Sequence, residues 1–437
     1  MDYDLLVVGG GPGGYAAAVD AARGGLRVAL FEAREVGGTC LNRGCIPTKT
    51  LLHGAGPDCD LSALSARKDE VVSTLRSGMT QGLKAAKVAV IPLRAVVTGP
   101  HAVRAGGETY MGETILVAAG SVPARPPIPG LDLPGVVTSD ELLDQVRPRN
   151  SLVIIGGGVI GVELASVWAA AGCHVTILEA LDRILANLDR ELSQSLAMQL
   201  KKDGVEICTA AAVDCVAAGD GLTIAFTHKG ESKTVSAETV LVAAGRRPAT
   251  AALFDGVSPD MERGFLTVDG AWRTSIPSIR AIGDAAPGPQ LAHRAEAEGH
   301  AVASLLLGRP ARRGTAPIPA CVYTDPEIAQ VGLTADDCKA RDIPAVTGKC
   351  VMGGNGRTVI AGGKRGFVKL VFHRETHALL GAQLCCGRAT DLISELTLAV
   401  TLGLTAEQLL LPVRPHPTFA EAISEAAEAG LTALEKS

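Results

Sequence analysis

Two stretches of this chain spell the same unit, and that repetition limits the fold more than any other feature. Leu5 to Gly14 reads LLVVGGGPGG, and Leu152 to Gly161 reads LVIIGGGVIG. Each begins as an apolar run suited to a strand buried on both faces. Each continues through Gly-x-Gly-x-x-Gly (Gly9, Gly11, Gly14; Gly156, Gly158, Gly161) into an Ala-rich helix and a second strand ending in an acid. The acids are Glu32 and Glu179, each 23 residues beyond the first glycine of its unit. The first glycine permits a sharp turn, the second lets the backbone approach a pyrophosphate, and the third allows close helix–strand packing. The helix N-terminus faces the phosphate charge, and the acid accepts hydrogen bonds from ribose hydroxyls. A lone copy is also met as a plain tight turn. Strand, helix and acid at matching distances, twice, predict two dinucleotide sites on two Rossmann-like domains.

At about 150 residues per domain, 437 residues predict roughly three domains. TILVAAG (Thr114 to Gly120) and TVLVAAG (Thr239 to Gly245, followed by Arg246-Arg247-Pro248) repeat as well. Proline-rich stretches at Ser121 to Gly135 and Arg309 to Pro319 mark crossings. Beyond the second, strand-like Gly366 to Phe372 and Leu379 to Leu384 precede helical Asp391 to Gly403 and Pro417 to Leu434. The expected fold class is α/β, with two Rossmann-like domains and a C-terminal α+β domain. The expected boundaries are 1–148 with 271–313, 149–270, and 314–437. Only 3% of residues are aromatic and 51 are glycine, which suits close-packed α/β units with many turns. A net charge of −5 leaves no basic footprint for nucleic acid. The N-terminus lacks the pattern of a signal peptide. Leu392 to Leu411 is interrupted by Glu395, Thr401 and Glu407, so a packed helix pair is expected there, not a membrane span. A cytoplasmic protein is expected.

In that compartment most of the eleven cysteines should be small apolar thiols. The adjacent Cys385 and Cys386 should alternate between core and surface on a strand. Cys40 and Cys45 differ. They lie five apart in GGTCLNRGCIPTK, with Gly44 permitting the tight path of a bridge. So short a loop gains little from constraining the unfolded chain, which favours an exchanging disulfide over a staple. Pro47 suits a first helical turn, placing Cys45 just before a helix N-terminus, where a thiolate is favoured by roughly 0.3–1 kcal/mol. No further ligands stand at zinc spacing, and no metal is expected. Lys49, one turn after Cys45, faces the same side.

His416 lies between two prolines, which stiffen its backbone, and Glu421 follows close enough to orient the ring and raise its proton affinity. Glu421 also stands at capping-box spacing from Thr418, a structural role that competes with the chemical one. Glu179 repels a 2′-phosphate, and Ala180-Leu181-Asp182 supply no cation, which favours NAD over NADP. Arg183, turned inward, would weaken that preference.

The stretch from Gly37 to Lys49 resembles the redox-active segment of the pyridine nucleotide-disulfide oxidoreductases, with wording most similar to dihydrolipoamide dehydrogenases. Glutathione and mercuric reductases usually read Val where this chain has Leu41 and Ile46. The likeness extends over nearly the whole chain, through AIGD (Ala281 to Asp284), LAHRAE (Leu291 to Glu296), YTDPE (Tyr323 to Glu327) and HPTFAE (His416 to Glu421). It implies FAD at the first nucleotide site, with Gly38, Thr39 and the ribityl-binding Asp284 among its contacts, and NAD at the second. It implies that Lys49 approaches flavin N5 paired with Glu163. It implies a homodimer joined by the C-terminal domain, in which His416 and Glu421 of one subunit serve the Cys40–Cys45 pair of the other. The activity implied is oxidation of dihydrolipoamide with NAD⁺. The dihydrolipoamide is carried on a lipoyl domain or lipoyl carrier protein of a 2-oxo acid dehydrogenase or glycine cleavage system. The alternative is an NAD(P)H-dependent reductase of another disulfide, glutathione-reductase-like, or of mercuric ion. Two departures bear on the substrate. The segment from Leu51 to Val71 is short for the family, and Arg414-Pro415 stands where His-Ala is usual, with Arg414 expected to charge the substrate mouth.

Overall fold

The computed structural model describes residues 1–311, 316–363 and 366–436. The boundary expected at 313/314 lies outside them. The chain divides into two compact units, Met1–Pro148 with Leu241–Thr315, and Arg149–Val240 with Ala316–Ser437.

In the first unit the apolar run becomes the strand Tyr3–Val8, flanked in parallel by Val28–Phe31 and Glu108–Val117. Ala89–Ile91 and Ile279–Ala281 extend the sheet in parallel at either side. The first half of Glu108–Val117 also closes an antiparallel meander with Ala95–Gly99 and Ala102–Ala105. Helix Pro12–Arg23 lies against helix Ala292–Leu306 at a spacing only small residues allow. A Cβ on Gly13 would come 2.7 Å from Ala295 O, and one on Gly299 would come 2.3 Å from Gly13 O. The abundance of glycine and alanine is spent on contacts of this kind.

The second unit opens with the repeat: parallel strands Ser151–Ile155, His174–Leu178 and Glu206–Cys208, with helix Val159–Ala170 after the first. A three-stranded antiparallel sheet, Ala211–Gly219, Gly221–His228 and Glu231–Ala237, follows. The C-terminal part is a five-stranded antiparallel sheet in the order 320–322, 327–332, 379–386, 367–373, 345–351. Helices Ala389–Leu402 and Glu421–Glu435 cover one face. Leu370, Leu384 and Leu396 are fully buried there, each stabilising by about 1.5–3 kcal/mol. Gly348 sets how closely the last helix approaches, since a Cβ there would sit 2.0 Å from Ala426 O.

Two expectations change. Cys385 and Cys386 are both buried, because Leu379–Cys386 is the middle strand and its second face is also covered, by helix Arg190–Lys202. The last helix starts at Glu421 rather than Pro417, because Pro415 and Pro417 break the ladder and the Thr418 amide bonds to the Glu421 side chain. The short helix Cys45–Gly54 ends as expected, and after the turn at 55–60 a 25-residue helix, Leu61–Ala85, follows, capped by Asp60. Leu392 to Leu411 forms the expected pair, Ala389–Leu402 and Ala406–Leu410. Among the described residues, no helix is long and apolar enough to cross a membrane.

Candidate active site

The two glycine turns are copies down to their hydrogen bonds. Gly9 has φ +109° and Gly156 φ +113°, conformations that side chains resist. A Cβ on Gly14 would lie 1.9 Å from Gly9 O, and one on Gly161 would lie 2.1 Å from Gly156 O, so the third glycine closes the turn onto its helix. The second glycine is different. Around Gly158 nothing lies within 4 Å of a Cβ, and around Gly11 only Gly38 Cα, at 4.0 Å. Each copy therefore leaves room at a helix N-terminus, where a pyrophosphate fits. Gly38 itself, at φ +58°, brings the redox segment against the first turn, since its Cβ would lie 2.8 Å from Gly11 Cα.

The acids are locked in the same way. Glu32 accepts from Gly10 N at 2.8 Å and Arg34 N at 2.9 Å. Glu179 accepts from Gly157 N at 2.6 Å and Leu181 N at 2.7 Å. Each carboxylate has further lone pairs for ribose hydroxyls. Arg183 is engaged within its own loop, by Asp182 at 3.2 Å and Ala186 O at 2.7 Å.

Asp284 sits in the turn Gly283–Ala285 and accepts from Ser121 Oγ at 2.6 Å. Arg246 braces that serine, donating to its Oγ and carbonyl, each at 2.7 Å. Behind the turn, Glu298 accepts from Gly283 N at 2.7 Å and pairs with the buried Arg294 at 2.9 Å. Ser121, Arg246, Arg294 and Glu298 escaped the sequence reading as site supports. Arg294 and Glu298 carry an i,i+4 signal on an Ala-rich helix, and Arg246 follows the repeated TVLVAAG.

Cys40 lies in helix Gly38–Arg43, and Cys45 is the first residue of helix Cys45–Gly54, one position further in than expected. The Cys40 thiol is pushed far above the ordinary thiol range, first by its hydrogen bond to Cys45, then by burial. The contact with Cys45 and burial both favour the protonated form of Cys40. Asn42 Nδ2 ties the segment down through Gly38 O at 2.9 Å and Val36 O at 3.1 Å, and Arg43 pairs with Glu35 at 2.8 Å. Thr39 follows Gly38 in the first turn of the Cys40 helix. Lys49 shares the Cys45 helix, one turn on. Glu163 is buried in helix Val159–Ala170 and accepts from Tyr323 N at 2.9 Å.

In the second unit His416 Nδ1 and Glu421 Oε1 are 2.8 Å apart, while Glu421 Oε2 accepts from Thr418 N at 2.8 Å. Glu421 thus reaches both the His416 ring and the Thr418 amide, one oxygen each. Those contacts, the Thr418 amide first, draw its carboxyl below the ordinary value of 4.5. With Nδ1 occupied, Nε2 points away on a side chain 78% exposed. Arg414 does not charge a substrate mouth: it turns inward and pairs with Glu395.

Residues 3–299 match the family described as pyridine nucleotide-disulphide oxidoreductase, and residues 318–427 match its dimerisation domain. The dihydrolipoyl dehydrogenase of Geobacillus stearothermophilus is 37% identical, over 99% of this chain and 97% of that protein. That of Thermus scotoductus is 38% identical, over 98% and 97%. Among solved structures, the HOCl-induced flavoprotein disulfide reductase RclA from Escherichia coli superposes with a TM-score of 0.90 at 31% identity, covering 98% of this chain and 99% of that one. The chain belongs to the pyridine nucleotide-disulphide oxidoreductases, enzymes that work with FAD and NAD(P), and its C-terminal part is their dimerisation domain.

Proposed function

We propose that this protein is a cytoplasmic, homodimeric dihydrolipoyl dehydrogenase that oxidises protein-bound dihydrolipoamide to lipoamide with NAD⁺. The observation that carries the reading is the Cys40–Cys45 hydrogen-bonded pair at a helix start, in a chain alike over its full length to dihydrolipoyl dehydrogenases. Its partner is a lipoyl domain or carrier protein of a 2-oxo acid dehydrogenase or glycine cleavage system. We divide the chain into an FAD-binding domain (1–148 with 271–313), an NAD-binding domain (149–270) and the dimerisation domain (314–437).

Gly9, Gly11, Gly14, Glu32, Gly38, Thr39 and Asp284 would hold FAD. Gly156, Gly158, Gly161 and Glu179 would hold NAD, with Glu179 and the engaged Arg183 favouring NAD over NADP. FAD, when bound, carries an electron pair between a dithiol and a nicotinamide, chemistries that do not otherwise meet. The residues of the chain do the rest. His416 of the second copy, its Nδ1 held by Glu421, takes a proton from one substrate thiol at Nε2. The new thiolate attacks Cys40 Sγ, a mixed disulfide forms, and Cys45 leaves as a thiolate at its helix N-terminus. The second substrate thiol then displaces Cys40, releasing the cyclic disulfide and leaving the Cys40–Cys45 dithiol, two electrons richer. Lys49, one turn along the Cys45 helix, would place a positive charge beside that thiolate.

The test is steady-state assay of dihydrolipoamide oxidation with NAD⁺ and NADP⁺ in parallel, alongside reduction of glutathione disulfide and Hg²⁺ by NADH. NAD⁺-linked oxidation of dihydrolipoamide should dominate. Turnover only with another oxidant would favour the alternative, a reductase of a different substrate, toward which the likeness to RclA leans.

A further inference from the structure

The loop that carries His416 has almost no backbone scaffold of its own. It joins helix Ala406–Leu410 to helix Glu421–Glu435. Between Pro412 and Pro417, no backbone group hydrogen-bonds to another backbone group among the described residues. Val413 is 97% exposed in the single chain, so apolar burial within the subunit does not hold this stretch either. A base that must meet a thiol within hydrogen-bond reach needs its backbone fixed to well under 1 Å.

What fixes it is a side chain. Arg414, two residues before His416, is only 6% exposed. Its guanidinium reaches three different helices. Nη1 donates to Leu409 O at 3.0 Å, at the end of the helix that enters the loop. Nη1 also donates to Ser424 Oγ at 2.6 Å, on the helix that leaves it. Nη2 donates to Glu395 on helix Ala389–Leu402. From the other side, the buried Asn355 donates Nδ2 to Thr418 O at 2.9 Å. A planar, permanently charged fork can serve several acceptors in fixed directions, which a lysine cannot.

We propose that Arg414 is a positioning residue for His416, acting by clamping the 411–420 loop to the three surrounding helices; this rests on His416 being the base. Arg414 touches neither substrate nor cofactor in this role. The clamp also explains why a cation next to the proposed base does not repel it: the charge is answered by Glu395 and turned into the domain.

The experiment uses the FAD-loaded dimer. Arg414→Met should lower kcat for the thiol half-reaction by roughly ten- to a hundredfold, with KM for dihydrolipoamide changed less than about threefold. NADH-to-dye transfer, which needs no thiol base, should be unchanged. Arg414→Lys should restore part of the lost rate by keeping one contact. Hydrogen exchange should rise in 411–420 and not elsewhere. Full thiol activity in Arg414→Met overturns the proposal, as does parallel loss of dye transfer and thermal stability. If Arg414→Met fails to accumulate, Ser424→Ala removes one anchor without stranding a buried cation. It should slow the thiol half-reaction alone, by about threefold, and an unchanged rate would sink the idea. A His416→Gln control separates the two readings. If it keeps the thiol rate, the base assignment fails; if it loses that rate while Arg414→Met does not, only the clamp fails.

Discussion

Cys40 and Cys45 share a short segment but not an environment. Cys40 is pinned by its partner's sulfur and by burial, both of which favour the protonated form. Cys45 stands at a helix start, which favours a thiolate. Separating them removes the sulfur contact but leaves burial on Cys40 and the helix start at Cys45, so the two should still differ in reactivity. With Cys40→Ser, the remaining Cys45 should alkylate at least roughly tenfold faster at neutral pH than Cys40 does in Cys45→Ser, read peptide by peptide by mass spectrometry. Equal rates would remove the division of labour from the mechanism. Cys45→Ser should also abolish thiol-dependent NAD⁺ reduction while FAD stays bound. Glu421 gives a prediction in pH. Its carboxyl titrates below its ordinary value, so the folded loop prefers the charged form. That contribution is fully present above the ordinary value of 4.5 and is lost as pH falls through the lower, folded one. Protection of the Thr418 amide, normalised for intrinsic exchange, should hold from about pH 7 down to the ordinary carboxylate range and then fall. A flat profile into strong acid would show that Glu421 does not hold the turn.

At the scale of elements, the glycine turns were legible in the sequence, because the first and third glycines of each answer to local steric demands. Gly14 and Gly161 close turns onto backbone oxygens, and Gly9 and Gly156 adopt positive φ. Gly158, unlike Gly157 and Gly161, has empty space around the missing Cβ, which sets up a clean separation. Gly158→Ala should leave the melting temperature within a few degrees of wild type while raising KM for NAD⁺ about tenfold or more. Gly161→Ala should fail to accumulate, since its Cβ would meet Gly156 O. If Gly158→Ala leaves KM for NAD⁺ unchanged, the second turn is not the nucleotide cradle. What the sequence did not disclose depends on partners distant along the chain. The burial of both Cys385 and Cys386 depends on their strand lying in the middle of a sheet whose neighbours are distant along the chain. Arg414 reads as a surface charge until Glu395 and Ser424 are brought beside it by folding. The Ser121–Asp284–Arg246 chain joins three segments no local pattern connects. The late start at Glu421 reflects a competition between a proline break and a carboxylate that caps from inside the helix.

For the whole molecule, the proposed chemistry divides a site between two copies of one chain. Cys40 and Cys45 belong to one compact unit, and His416 and Glu421 belong to the other, inside the dimerisation domain. A two-fold dimer built through that domain presents the same patch from both partners, so whatever one subunit lends it also receives. This makes the assignment testable without knowing the interface. Cys45→Ser and His416→Gln homodimers should each be nearly inactive in lipoamide turnover. After the two are unfolded, mixed in equal amounts and refolded, about half the dimers should carry one chain of each kind. In such a dimer, one site joins the serine to the glutamine and is dead, while the other joins an intact thiol pair to an intact base. Turnover should therefore recover to about a quarter of the wild-type level. If each chain instead supplied its own base, every site in the mixture would contain one lesion and no activity would return. Recovery of NADH-to-dye transfer in the same refolded sample shows that the dimers have reassembled, so silence in the lipoamide assay alone would overturn the shared site.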